Sequence, residues 1–141
     1  MSLPRRFAAD ARGATTVEFA IVAPAFLMML FLLLDGGRMI FAKQALNELA
    51  TASARCAALK PTGCTTAAEV QSWTVSRGNT RSAMALTTTM VAVVPSTTCN
   101  GQSGMAQATI SVPFKKGAMT LLPQSVAPAN LTSTSCFPVP N

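Results

Sequence analysis

The chain has no histidine and only five acidic residues. These two shortages remove most catalytic and metal-binding chemistry. Without histidine, no serine or cysteine has an ordinary general base beside it, and mixed cysteine–histidine zinc sites are excluded. The carboxylates of Asp10, Glu18, Asp35, Glu48 and Glu69 are spread along the chain and form no cluster for paired acid–base work. No glycine-rich phosphate loop occurs. Aromatics are scarce at 6%, and the eleven basic residues behind the +6 net charge are scattered. A basic stripe with interleaved stacking rings is therefore absent, and nucleic acid is not an expected partner. Charged residues make up 11% and mean hydropathy is +0.38, a balance that suits a membrane-attached chain. No cofactor, small-molecule substrate or catalysis is expected.

What the sequence does have is one long stretch without charge. Phe19 to Leu34 contains no charged or hydrogen-bonding side chain, and the stretch back to Ala14 makes twenty-one residues. As a helix this spans about 30 Å, the thickness of a bilayer's hydrocarbon. Glu18 lies inside that window, where a carboxylate is costly and marks a functional position. Arg5, Arg6 and Arg12 precede the run, and Arg38 and Lys43 follow it. The basic bias places the N-terminus in the cytoplasm and the C-terminal part outside. A removable secretory signal would have a shorter apolar core and a small-residue cleavage site after it. Here Asp35-Gly36-Gly37-Arg38 follows, which favours a retained anchor.

All four cysteines, Cys56, Cys64, Cys99 and Cys136, lie on the exported side. Their spacing is not that of zinc pairs, and an even number in an oxidising compartment reads as two disulfides among three possible pairings. Cys56–Cys64 with Cys99–Cys136 is favoured because it closes the shorter loops; four reduced, buried thiols is the other reading.

In chain order, residues 1–13 form a basic cytoplasmic leader. Residues 14–59 form a transmembrane and then amphipathic helix, and residues 60–141 an exported α+β domain. Pro24 removes one helical hydrogen bond, a loss membrane helices tolerate, and Gly36-Gly37 offers a hinge. Beyond it Met39, Ala42, Leu46, Leu49, Ser53 and Cys56 recur at steps of three and four, a stripe that packs on the chain's own domain or on another helix. Lys60-Pro61-Thr62-Gly63 ends the helix. Thr66 and Glu69 have capping-box spacing and open a short helix to about Val75, with Trp73 turned inward. A turn is expected over 76–81 and a strand over 83–94, with residues 95–104 as a loop. Strict alternation marks a second strand over 106–114, and a third follows over 131–137. The fold class is α+β: a long N-terminal helix packed on a small antiparallel sheet of about three strands.

Gly13, followed by Ala14-Thr15-Thr16-Val17-Glu18-Phe19 and the apolar run, resembles a type IV prepilin processing site. In more detail, Arg12-Gly13, Val17-Glu18-Phe19-Ala20, Pro24, Gly37-Arg38 and the alanines at 45, 52, 57 and 58 resemble the TadE-like family of the tight-adherence (Tad or Flp) pilus system. The later TISVPF, the Leu121-Leu122-Pro123 crossing and the LTSTS strand resemble that family more loosely. Asp35-Gly36 departs from it, since an aromatic more usually adjoins the acidic residue. The resemblance implies a minor pilin, or pseudopilin, in the bacterial inner membrane. It implies Gly13 and Ala14 as the bond cut by a prepilin peptidase, and Glu18 as the assembly residue that meets the amine freed on a neighbour. It implies as partners that peptidase, other Tad pilins and minor pilins, and the inner-membrane assembly platform. An unprocessed single-pass protein whose periplasmic domain docks other assembly components is the alternative. A soluble exported protein that has lost its anchor is a third.

Overall fold

The computed structural model describes residues 11–82, 85–115, 117, 120 and 122–140. Most of the leader, with Arg5, Arg6 and Asp10, lies outside the described residues. A helix, α1 (Ala11–Leu59), begins the fold and is followed by α2 (Ala67–Ser82). A 3-10 turn (Thr88–Met90) then leads into three strands: β1 (Val91–Cys99), β2 (Gln102–Pro113) and β3 (Asn130–Pro138). The sheet is antiparallel throughout, in the order β1-β2-β3. The chain is α+β, with a long apolar N-terminal helix on a three-stranded sheet.

The 49 residues of α1 run unbroken through Pro24 and Gly36-Gly37, a length of about 73 Å at the usual rise. Only the part beyond Asp35 is packed. Its stripe lies on the inner face of the sheet: Leu46, Leu49, Ala50, Ser53, Ala54, Cys56 and Ala57 are buried, and Met39 and Ala42 are half-buried below them. The stripe thus faces the chain's own domain. On β2 the alternation resolves as Ala106, Ala108 and Ile110 facing α1, each fully buried. Alanines on both surfaces let helix and sheet approach closely, so the core rests on shape more than on bulk.

Two apolar clusters result. Near the apolar end of α1, Leu46, Leu49 and Ala50 meet Leu86, Val91, Ile110 and Leu131. Further along, Cys56, Ala57 and Ala58 meet Cys64, Val70 and Ala106. Between α1 and α2 the buried hydroxyls of Ser53 and Thr74 lie 2.8 Å apart. Ser53 Oγ is also 2.7 Å from the Leu49 carbonyl, and Thr74 Oγ1 is 2.6 Å from that of Val70. Each hydroxyl has one proton, so only two of the three contacts are hydrogen bonds at once, and each hydroxyl keeps a backbone carbonyl to donate to if the other is removed.

Two boundaries differ from the sequence expectation. α2 continues through the turn expected at 76–81 and ends at Ser82. Gly78 makes this possible: it is buried, and a Cβ there would collide with the Leu86 side chain and stand 2.9 Å from Leu49. Asn79 adds a tether, accepting from the Leu86 amide at 2.8 Å. The strand expected over 83–94 starts only at Val91 and runs on to Cys99, and residues 83 and 84 lie outside the described residues. The expected loop over 95–104 shrinks to a two-residue turn. Asn100 and Gly101 both have positive φ, 50° and 80°, the backbone of a tight hairpin whose Asn-Gly pair is its usual signature. Trp73 is only half-buried, packed against the distal cluster with Arg77 5.1 Å from its ring.

Candidate functional site

The apolar face of a helix must be covered by protein or by a non-aqueous phase. Along α1 from Val17 to Leu34 neither the sheet nor α2 provides that cover. Phe19 is 74% exposed, Ile21 72% and Leu34 63%. Ile40 and Phe41 continue the exposed apolar surface past Asp35. One helix among the described residues is long and apolar enough to cross a membrane, and none of its apolar window is buried in the fold. These properties fit a membrane-anchored protein.

At the N-terminal end of that surface the structure places the residues singled out from sequence. Gly13 is exposed near the N-terminal end of the described part of α1, and among the described residues nothing beyond its chain neighbours and the helix's own backbone comes within 4 Å of where a Cβ would stand. A glycine within a helix lowers the cost of opening it locally. The backbone at Gly13 is therefore easier to draw out into an extended strand than at an alanine in the same place. Glu18 is one turn beyond Ala14, exposed between Val17 and Phe19. The backbone nitrogen of residue 14 and the residue at 18 lie one turn apart on the helix.

The four cysteines are brought together in pairs at the far end of the molecule. Cys56 is bonded to Cys64, with Cα atoms 5.8 Å apart, and Cys99 to Cys136, with Cα atoms 6.5 Å apart. The first bridge closes the corner where α1 ends. There Lys60 adopts a left-handed φ of 46° and Gly63 one of 87°, and the Cys64 amide donates to the Pro61 carbonyl at 2.9 Å. The second bridge joins the two outer strands across β2.

Two features escaped sequence reasoning. An open groove of about 680 Å³ runs along α1 beside α2, walled by Trp73, Arg77, Arg55 and Leu59. Among the described residues no three His, Cys, Asp or Glu side chains gather where they could hold a metal. The other feature is a contact between Asp35 and Gly117, residues so far apart in sequence that no local pattern signals it. A Cβ on Gly117 would fall against the Asp35 carboxylate, and Arg38 lies 3.6 Å from the same carboxylate.

No curated protein and no solved structure matches the chain. Residues 13–55, from the exposed glycine through the membrane-length run and into the packed half of α1, match the family model described as TadE-like protein.

Proposed function

We propose that the chain is a minor pilin, or pseudopilin, of a Tad/Flp-type IVb pilus system, cut by a prepilin peptidase between Gly13 and Ala14 and acting in pilus assembly or initiation. The observation that carries this is a coincidence of position. The segment that matches the TadE-like family model begins at residue 13, at the glycine that lies one turn and one residue before the single carboxylate of the uncovered apolar run.

The basic leader stays at the cytoplasmic surface, and α1 crosses the inner membrane with the cysteine-bearing domain in the periplasm. Removal of residues 1–13 leaves a charged amine on Ala14. Glu18 of one subunit then pairs with the amine of its neighbour, so that two charges costly in an apolar setting offset one another. The uncovered surface from Val17 to Leu34 meets other Tad pilins or minor pilins as the chain leaves the lipid. The partners are the peptidase, those pilins and the assembly platform in the membrane. The role is structural rather than catalytic.

The test is the intact mass of membrane-extracted protein from cells with and without the peptidase. Loss of residues 1–13 only when the enzyme is present is the expected result. A chain that still begins at Met1 overturns the reading and favours the unprocessed anchor. The Glu18→Ala variant is expected to be cut normally yet fail in assembly; unchanged piliation would remove the role given to that carboxylate.

A further inference from the structure

The packed half of α1 meets the sheet on one side and α2 on another, and a third side stays open. The groove of about 680 Å³ runs along that side. Its floor is low, formed by Ala52 and the buried Cys56. Glu48 and Leu59 stand at its two ends, about 16 Å apart along the helix, the length of three helical turns. Leu59 is 48% exposed and Trp73 half-buried, so the groove offers apolar surface to an occupant.

Two guanidiniums line the same groove, Arg55 from α1 and Arg77 from α2. Both residues are exposed, and neither forms an ion pair among the described residues. Each guanidinium carbon lies near an aromatic ring, Arg55 at 6.0 Å from the centre of Phe137 and Arg77 at 5.1 Å from that of Trp73. A ring face steadies a guanidinium and leaves its in-plane N–H groups available to a carboxylate. Glu48 is the one acid lining the groove, so positive charge prevails there.

The chemistry of the occupant follows by elimination. From Asp35, at the end of the apolar run, to Arg55 is about 30 Å along α1, well beyond the headgroup layer beside an anchor. A second copy does not supply the acid. Asp10 belongs to the leader and Glu18 to the apolar run, Asp35 is paired with Arg38, and Glu69 caps α2. Glu48 remains, about 10 Å short of Arg55 along α1, and two copies anchored in one membrane keep that offset. The wall of Trp73 and Arg77 also lies outside the segment that matches the family model.

We propose that this groove docks an amphipathic helical segment of a different protein, about three turns long, a proposal that rests on the reading of α1 as a membrane anchor. Apolar side chains of the segment lie on Ala52, Leu59 and Trp73, and an acidic side chain is held by Arg55 and Arg77. Glu48 repels acid at the end nearer the membrane and so fixes the direction of the segment.

The test uses the full chain in phosphatidylcholine nanodiscs and a capped helical peptide of Glu, Leu and Ala. Trp73, the chain's one tryptophan, reports occupancy by its emission. A saturable shift is expected. The same peptide with glutamine in place of glutamate should bind about fivefold more weakly for each carboxylate lost. Arg55→Gln and Arg77→Gln should each weaken the glutamate peptide about fivefold and leave the glutamine peptide unchanged, with thermal unfolding as the check that both variants fold. Glu48→Gln should not weaken it. No saturable shift, or equal binding of the two peptides, overturns the docking, as does a lysine peptide that binds as well. A shift produced by single-stranded oligothymidylate and not by the glutamate peptide overturns it in favour of nucleic acid. Quenching of Trp73 by lipids brominated near the headgroup overturns it in favour of the membrane. Failure of the full chain to float with vesicles overturns the anchor, whereas a failed peptide titration on a chain that floats overturns the docking alone.

Discussion

Glu69 shows how much one side chain can do at a helix start. Its Oε2 accepts from the Thr65 amide at 2.7 Å, the Thr65 hydroxyl at 2.6 Å and the Thr66 amide at 3.3 Å. The Thr66 hydroxyl in return accepts from the Glu69 amide at 3.2 Å. This reciprocal cap was legible from the Thr66–Glu69 spacing, because a capping box is local in sequence. The Thr65 hydroxyl first, and then the two amides, hold the Glu69 carboxyl below the ordinary glutamate value. A carboxylate with a depressed pKa stabilises the fold above the unfolded value and loses that contribution as pH falls through the folded one. Destabilisation of α2 should therefore set in below about pH 4, and Glu69→Gln should be less stable than wild type at neutral pH and flatter in its acid limb. Thermal unfolding across pH 3–7 measures both. Gly78 was not legible in the same way. A glycine with Ser76 and Asn79 around it reads as a turn, and only the Leu49 and Leu86 side chains above it explain a helical glycine. Gly78→Ala should raise local helix propensity yet destabilise by about 1–3 kcal/mol through overpacking, whereas Gly36→Ala, with open space around it, should not destabilise.

At the scale of elements, the β1–β2 hairpin is the place where local and long-range signals compete. The Asn100-Gly101 pair marks the turn, but Pro95 and a run of Ser and Thr before it read as loop. Pro95 is accommodated because β1 is an edge strand, where a missing donor faces away from the sheet. The register of β1 slips between Val94 and Thr97 and again before Cys99. These irregularities bend the outer half of β1. In a flat sheet β1 and β3 would stand about 9.6 Å apart across β2, yet Cys99 and Cys136 have Cα atoms 6.5 Å apart. The bend and the bridge require each other, and neither follows from alternation of side chains. Replacing Cys99 and Cys136 with serine should therefore destabilise by about 2–4 kcal/mol. It should also speed amide exchange selectively in residues 96–101, which urea unfolding and hydrogen exchange would measure. Equal exchange across all three strands would show that the bridge acts only on the unfolded chain.

For the molecule as a whole, the proposed processing and anchoring residues were legible because they follow one another along α1. A glycine, an acid five residues on and an apolar run need no tertiary structure to be recognised. The meeting of Gly117 with Asp35 was not, since only the folded β2–β3 connection brings them together. The same division governs which part of the chain can stand alone. Leu46, Leu49, Ala50, Ala54 and Ala57 form one wall of both apolar clusters or lie between them, so the sheet has no closed core without the packed half of α1. Residues 60–141 by themselves would leave the inner faces of Ala106, Ala108 and Ile110 open to water and would lose the Cys56–Cys64 bridge. A domain that small has little margin for such a loss. A chain beginning at Arg38 keeps the whole buried stripe and, apart from Ile40 and Phe41, sheds the exposed apolar surface of α1. It should be soluble, monomeric and cooperatively folded, with near-ultraviolet circular dichroism from Trp73. A chain beginning at Lys60 should show neither that signal nor a sigmoidal thermal transition. Cooperative folding of the shorter chain would show that α1 is only attached to the C-terminal domain, whereas the packing makes it the domain's central element.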